Sequence, residues 1–405
     1  MAIRKINSRS IGDTGVATAD IADGSITTAK LAVDAVTTAK IANTVNLGRR
    51  NLIINGAMQV AQRATSVTGV TGIAYNSTDR FRSNVNSLGT WTESQSTDAP
   101  DEFSNSFKLE CTTANSSPAS SAYLIVEQRI EAQNLQGLSY GTSSAKKVTL
   151  SFWVKSNVIG TYSITIYGSD SSRANAKTFT INTASTWEYK TLTFNGDTTG
   201  NINNDNGDGF RLWWILNAGS DWKGGTQVDG VWETYTLANL AANVTADVGG
   251  DVGDTFQITG VQLEVNDTAT PFEHRSYAEE LALCQRYFSV PITDVDHNGA
   301  SNTISSFGHG RGAGGGTVVV TQFIMPQPMR TSPTMTLGGS GGTVYVTDSN
   351  SRTSATPSSV QISQFCPGST TALGYYAFGS AVCDDDRVCS IGGHTAVRIT
   401  LDAEL

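Results

Sequence analysis

The sequence predicts a mainly β protein, and three observations carry that prediction. Charged residues make up only 16% of the 405 positions while apolar residues hold at 39%, against a charged share of roughly a quarter in an average soluble domain. The missing charge is replaced by Ser, Thr, Asn and 40 Gly, a composition that argues against helical bundles, coiled coils and charged disordered chains. From Asn51 onward, short segments of alternating apolar and polar residues recur between Gly, Asn and Ser clusters, the texture of an antiparallel sandwich.

Along the chain, residues 1–50 come first and carry a repeat of ten residues: Thr18-Ala19-Asp20-Ile21-Ala22, Thr28-Ala29-Lys30-Leu31-Ala32 and Thr38-Ala39-Lys40-Ile41-Ala42. Each unit offers too few large apolar side chains to offset the roughly 1–2 kcal/mol of backbone entropy lost per ordered residue. The segment therefore reads as an attachment or trimerisation strap that packs on copies of itself or on a partner, with a disordered Ala/Thr-rich leader as the alternative.

Residues 51–275 read as a jelly roll. Val148, Leu150, Phe152 and Val154 share one strand face, which leaves Thr149, Ser151, Trp153 and Lys155 for solvent or a partner; Tyr162, Ile164 and Ile166 follow the same rule. Over residues 210–216, Phe210, Leu212, Trp214 and Leu216 oppose Arg211, Trp213 and Ile215, and with neither face polar this strand should be covered on both sides. Phe256 and Ile258 differ in parity from Val261 and Leu263, so a bulge at Gly260 is needed to bring all four to one face.

Residues 276–290 form a short helical connector. Ser276 and Glu279 make a capping box, and Tyr277, Leu281, Cys284 and Phe288 are spaced as one helix face, to be covered by a threefold bundle or by the sandwich. Residues 291–405 return to β texture around Val318, Val320, Ile324, Val344, Val346, Val360, Ile362, Val397, Ile399 and Leu401, and read as a C-terminal β tip.

Charge and motifs exclude several functions. A net charge of −9 gives no footprint for nucleic acid, which needs clustered Lys and Arg. No apolar run is long enough to span a bilayer, and the first residues lack a secretory leader pattern. Five cysteines, an odd number spread widely, do not resemble a disulfide framework and suit assembly in a reducing cytoplasm. His274, His297, His309 and His394 lack zinc spacing, and neither a nucleophile elbow nor a phosphate loop is present. No cofactor is expected.

What remains is a set of candidates for binding. Trp213, Trp222, Trp232 and Tyr235 gather in a polar, Gly-rich stretch, where exposed rings would suit sugars and buried ones would be core or subunit contacts. Asn203, Asp205 and Asp208 are weak calcium candidates in a loop whose default reading is simply polar. Asp384, Asp385 and Asp386 form an acidic turn between Cys383 and Cys389, whose pairing the sequence leaves open. Residues 308–316, with His309 and Arg311, read as a flexible Gly-rich loop. Asp and Glu are too scattered to choose a glycosidase pair.

Several strings resemble tail-fibre proteins of tailed bacteriophages, particularly those of marine and cyanobacterial phages. Residues 51–63 are similar to the opening of their carbohydrate-binding-module-like domain, and Asp79-Arg80-Phe81, residues 148–155, Val261-Gln262-Leu263-Glu264 and residues 269–277 running into 283–287 are similar to its later landmarks. Asp23-Gly24-Ser25-Ile26-Thr27-Thr28-Ala29-Lys30 looks like their N-terminal repeats, and residues 328–334 look like a strand motif of their C-terminal domains. Val265-Asn266 departs from the pattern, where a Gly often follows. The resemblance implies a homotrimeric virion fibre, assembled in the host cytoplasm and joined to tail or adaptor proteins by its N-terminus. Its distal β domain would meet a host surface polysaccharide; the resemblance does not imply catalysis, and no membrane insertion is expected. Within residues 291–405, His309, Arg311, Asp384, Asp385 and Asp386 are the loop candidates for host contact. A polysaccharide depolymerase and a structural connector or head fibre are the alternatives.

Overall fold

Alternation along the strands is what builds the core. In a computed structural model, which describes residues 49–292, 305–315, 317–338, 344–347, 352–365, 368–383, 388–393 and 398–405, two antiparallel sheets pack face to face. The first is six-stranded, in the order Ser66–Val70, Thr90–Ser96, Ser106–Thr113, Thr255–Glu264, Val148–Ser156, Glu188–Phe194. The second is seven-stranded, in the order Trp232–Thr234, Arg173–Ile181, Gly160–Gly168, Asp208–Ala218, Tyr123–Glu131, Phe81–Asn86, Ile73–Ala74. The decamer repeats and Asp384, Asp385 and Asp386 lie outside the described residues.

Val148, Leu150, Phe152 and Val154 meet Tyr162, Ile164, Ile166, Phe210, Leu212, Trp214 and Leu216 between the sheets, all fully buried. Each such side chain contributes about 1.5–3 kcal/mol. The Phe152 and Trp214 rings meet edge to face at 5.9 Å, and the strand Asp208–Ala218 is indeed covered twice. Its outward residues Trp213 and Ile215 join Ile125 and Ala174 of the same sheet in a second cluster, completed by Trp222, Leu240 and Ala241 from the chain after the strand. The bulge falls where parity requires it: the register with Val148–Ser156 shifts between Thr259 and Gln262, Gly260 has φ +61°, and Phe256, Ile258, Val261 and Leu263 are all buried.

The helix Tyr277–Gln285 begins at the expected box, Ser276 accepting from the Glu279 N–H and Glu279 reaching back. Its packing face matches the expected one only in part. Cys284 is buried as expected, but Tyr277 is exposed, Phe288 is buried as part of a strand, and Glu280, off the expected stripe, is buried as well. The helix packs on the sandwich through polar contacts: Glu280 accepts from the Asn55 N–H, and Arg275 reaches Glu280 and the carbonyls of Asn51 and Ile53. The hydrophobic stripe therefore located Cys284 but missed the buried Glu280. No helix among the described residues is long and apolar enough to cross a membrane.

Beyond the helix lie a three-stranded sheet, Phe288–Ile292, Arg398–Asp402, Thr334–Gly338, and a seven-stranded sheet whose centre includes Val388–Gly393, Ser305–Ala313, Val318–Ile324 and Thr371–Ala377. Their shared core includes Val319, Met335, Tyr376, Cys389, Ile399 and Leu401. The Gly-rich segment is a strand here rather than a flexible loop. Gly310 packs so closely that a Cβ would lie 2.0 Å from the Val320 carbonyl oxygen, and Gly314 and Gly315, with φ of +63° and +70°, lie in the turn that follows. His309 and Arg311 thus sit within the sheet, Arg311 between Val388 and Val320 with its side chain exposed.

All of this belongs to one unit, residues 49–405, and the strings at 51–63 and 79–81 explain why. Asn51 donates to the Val261 carbonyl and accepts from the Ile53 and Leu263 N–H groups, and Asn55 ties Val60 to Asp79. Arg80, buried, pairs with Glu404 and lies 3.5 Å over the Tyr287 ring. Arg63 meets Asp402 and Glu404, Arg286 holds Glu131 through two bonds, and Arg330 donates to the carbonyls of Ala403 and Glu404. These landmark residues hold the C-terminal sheets to the sandwich.

Candidate functional site

The outer face of the six-stranded sheet carries the aromatic side chains best placed to meet a ligand. Alternation sends Trp153 outward, its cross-strand partner Tyr189 follows, and the two rings lie 5.3 Å apart. Tyr189 is 45% exposed, so this is a surface feature rather than displaced core. On the other side of Trp153 the neighbouring strand presents Gly260. The absence of a side chain there lets Phe103 settle beside Trp153: a Cβ at Gly260 would meet Phe103 Cζ at 2.7 Å and Trp153 Cδ1 at 3.1 Å. Phe103 in turn packs against Phe272 at 5.0 Å and His274 at 5.4 Å, and these two lie 4.9 Å apart. Tyr189, Trp153, Phe103, Phe272 and His274 form a stripe across the strands.

Polar groups along one margin of the stripe are already organised. Asp98 accepts from the Lys155 ammonium at 2.7 Å, the Gln257 amide at 3.1 Å and the Trp187 indole N–H at 3.2 Å. Burial would raise the Asp98 pKa, but these three donors outweigh it and hold the carboxyl below its ordinary value. Lys155 also lies 5.8 Å from the Trp187 ring. In the next cross-strand positions Lys108 meets Glu110 at 2.6 Å. The face combines rings, which suit C–H surfaces, with fixed donors and acceptors, which suit hydroxyls.

The expected aromatic group takes other places. Trp213 and Trp222 retain only 9% and 7% of their exposure and belong to the second core cluster, Trp213 stacked on Tyr167 at 5.2 Å and Trp222 packed on Tyr123 at 5.0 Å. Tyr235 borders that cluster, 5.2 Å from Tyr167. Trp232 turns instead toward the main core, beside Tyr140 and Phe210, and gives its indole N–H to the Asn195 carbonyl. The four do not share a binding face, because the paired strands and the covering segment recruit them as packing residues.

The calcium candidates are likewise engaged separately. Asn203 bonds Asp170, Asp205 accepts from the Gly207 N–H, and Asp208 pairs with Arg211 and Arg129. Among the described residues no three His, Cys, Asp or Glu side chains group as a metal site needs. Trp187, Tyr189 and Asp98 escaped the sequence reading; Trp187 and Tyr189 share strand parity with each other, a signal available at residues 187–191. Phe103, Phe272 and His274 reach the stripe from segments without periodicity.

No family model matches the chain, and no curated protein does. Among solved structures, the chain is similar to the enzymatically active domain of tailspike protein 4 from bacteriophage CBA120, at 14% identity and a TM-score of 0.28, over 53% of this chain and 21% of that one. It is also similar to TmCBM61 in complex with β-1,4-galactotriose, at 8% identity and a TM-score of 0.27 over 54% of this chain and 99% of that one. A third is the C-terminal family 22 carbohydrate-binding module of Clostridium thermocellum Xyn10B, at 10% identity and a TM-score of 0.26, over 55% and 96%.

Proposed function

We propose that the protein is a non-catalytic attachment protein that binds a cell-surface glycan, as a homotrimeric fibre of a tailed phage joined to the tail by its N-terminal repeats. The observation that carries the glycan reading is the stripe from Tyr189 to His274, exposed at those two ends, half-buried at Trp153, Phe103 and Phe272, and bordered by ordered polar groups. Individual stacking contacts are weak, and three chains on several fibres raise the effective concentration enough for firm attachment. The fibre, virion and trimer parts of the reading rest on the resemblance of residues 18–42, 51–63 and 261–287 to tail-fibre landmarks.

The carboxyl groups support binding over hydrolysis. A glycosidase needs an acid whose pKa is raised within a substrate groove. Asp98, beside the stripe, is lowered. Among the described residues the raised acids are Asp79 and Glu280, buried where the sandwich meets the helix and C-terminal strands and both held by hydrogen bonds. The test is a glycan array on the full-length protein beside its Tyr189→Ala and Trp153→Ala variants, with reducing-end release measured on the array hits. Binding that both variants weaken, without release, is expected; binding unchanged in both, or release of reducing ends, would sink the reading.

A further inference from the structure

We infer that the stripe holds an extended, uncharged glycan along its length, recognising internal sugars rather than a chain end or an acidic residue. The inference rests on the glycan reading above and adds the class of ligand. Three features of the face lead to it.

The first is direction and reach. The rings run across the strands Glu188–Phe194, Val148–Ser156 and Thr255–Glu264, from Tyr189 through Trp153 and past Gly260 to Phe103. Neighbouring strands are about 4.8 Å apart, so the outer two are separated by about 10 Å, and Phe103 at the far side clusters with Phe272 and His274. A single pyranose cannot touch both ends. The second feature is that both ends are open: Tyr189 is exposed at one and His274 at the other. A site for a chain terminus closes around it, whereas an open row lets the polymer continue past each end.

The third is charge. Lys155 is matched by Asp98 and Lys108 by Glu110, so the ammonium groups on this face already have carboxylate partners. An acidic sugar would compete with those carboxylates for ammonium groups whose charge they already neutralise. Neutral hydroxyls face no such competition, and the exposed Thr191, on the same strand face as Tyr189, adds a neutral partner at the rim.

The experiment titrates the full-length protein with neutral ladders of one to six sugars (cello-, manno-, galacto-, laminari- and malto-oligosaccharides), the same oligomers reduced at their ends, and an oligogalacturonate ladder. At least one neutral ladder should gain about tenfold or more in affinity between the disaccharide and the tetrasaccharide, then level off. End reduction of the longer members should change affinity less than twofold, and Phe272→Ala should shorten the length at which affinity levels off. Equal affinity for monomer and hexamer, loss of binding on end reduction, or preference for oligogalacturonate would overturn the inference while leaving glycan binding intact. Absence of binding to every neutral and acidic ladder would overturn the glycan reading itself.

Discussion

At the scale of single residues, Gly260 links stability to the candidate site. Its φ of +61° is a conformation that side chains other than Gly adopt only with strain, and its missing Cβ makes room for Phe103 next to Trp153. Gly260→Val should therefore cost about 2 kcal/mol or more, and glycan binding should fall further than with Tyr189→Ala; chemical denaturation and titration of the two variants measure this. Asp79 makes a separate prediction. Burial, opposed by hydrogen bonds from Gln62 and by Arg63, lifts its pKa from 3.8 to about 6. The folded state then binds the proton more tightly than the unfolded chain, so this group contributes stability below pH 4 that is lost as pH rises through about 6. Denaturation from pH 4 to 7 should show the difference between wild type and Asp79→Asn drifting by on the order of 2 kcal/mol in the variant's favour as pH rises. Glu188 runs the other way. Burial alone would raise it, but Lys190 and the N–H groups of Thr183 and Asn182 bring it to about 2, and Glu188→Gln should lose most at neutral pH and match wild type as pH falls from 4.5 toward 2.

At the scale of elements, period-two alternation was readable wherever a strand has one face in the core. It placed Val148, Phe152, Tyr162 and Trp214 inside and Trp153 outside, and the parity change across residues 256–263 located the bulge. It could not say which segment covers an outer face. Trp213 and Trp222 look alike in sequence whether they meet sugar or one another's neighbours, and residues after the strand decide the matter by packing over them. The stripe was half legible for the same reason: Trp153 and Tyr189 follow strand parity, while Phe103 and Phe272 are brought together only by tertiary folding. The Gly-rich residues 308–312 were misread because Gly marks both loops and strands with close backbone neighbours. The helix showed its start and its buried Cys284 but not Glu280, whose buried contacts are polar and ionic. Removing the cap with Ser276→Ala should cost about 1 kcal/mol and loosen the Glu280 contact with Asn55, which amide hydrogen exchange at Asn55 would register.

At the scale of the whole molecule, the C-terminus is structurally part of the sandwich. Arg80 sits in the sandwich with almost no exposure, its charge answered by Glu404 and its plane covered by Tyr287, both supplied by chain beyond residue 280. A buried guanidinium deprived of its carboxylate costs about 3–5 kcal/mol, so Glu404→Gln should destabilise by that order although the substituted side chain keeps its volume. The loss should not remain local, because Arg63 meets the same carboxylate and Arg330 ties the adjacent backbone back to Asn206. Residues 49–405 should consequently unfold in one transition, with tryptophan fluorescence from the sandwich and tyrosine exchange at Tyr376 in the C-terminal sheet reporting the same midpoint. Two separated midpoints would mean that the ionic seam does not couple the sheets. Coupling also changes how the C-terminal region can be tested: cutting at residue 291 removes Glu404 and strands Arg80, so loss of binding after truncation would reflect sandwich damage as much as loss of a contact surface. Exposed substitutions such as Arg311→Ala, set against Tyr189→Ala at matched stability, separate the two, and the proposed site requires the larger loss of glycan affinity from Tyr189→Ala.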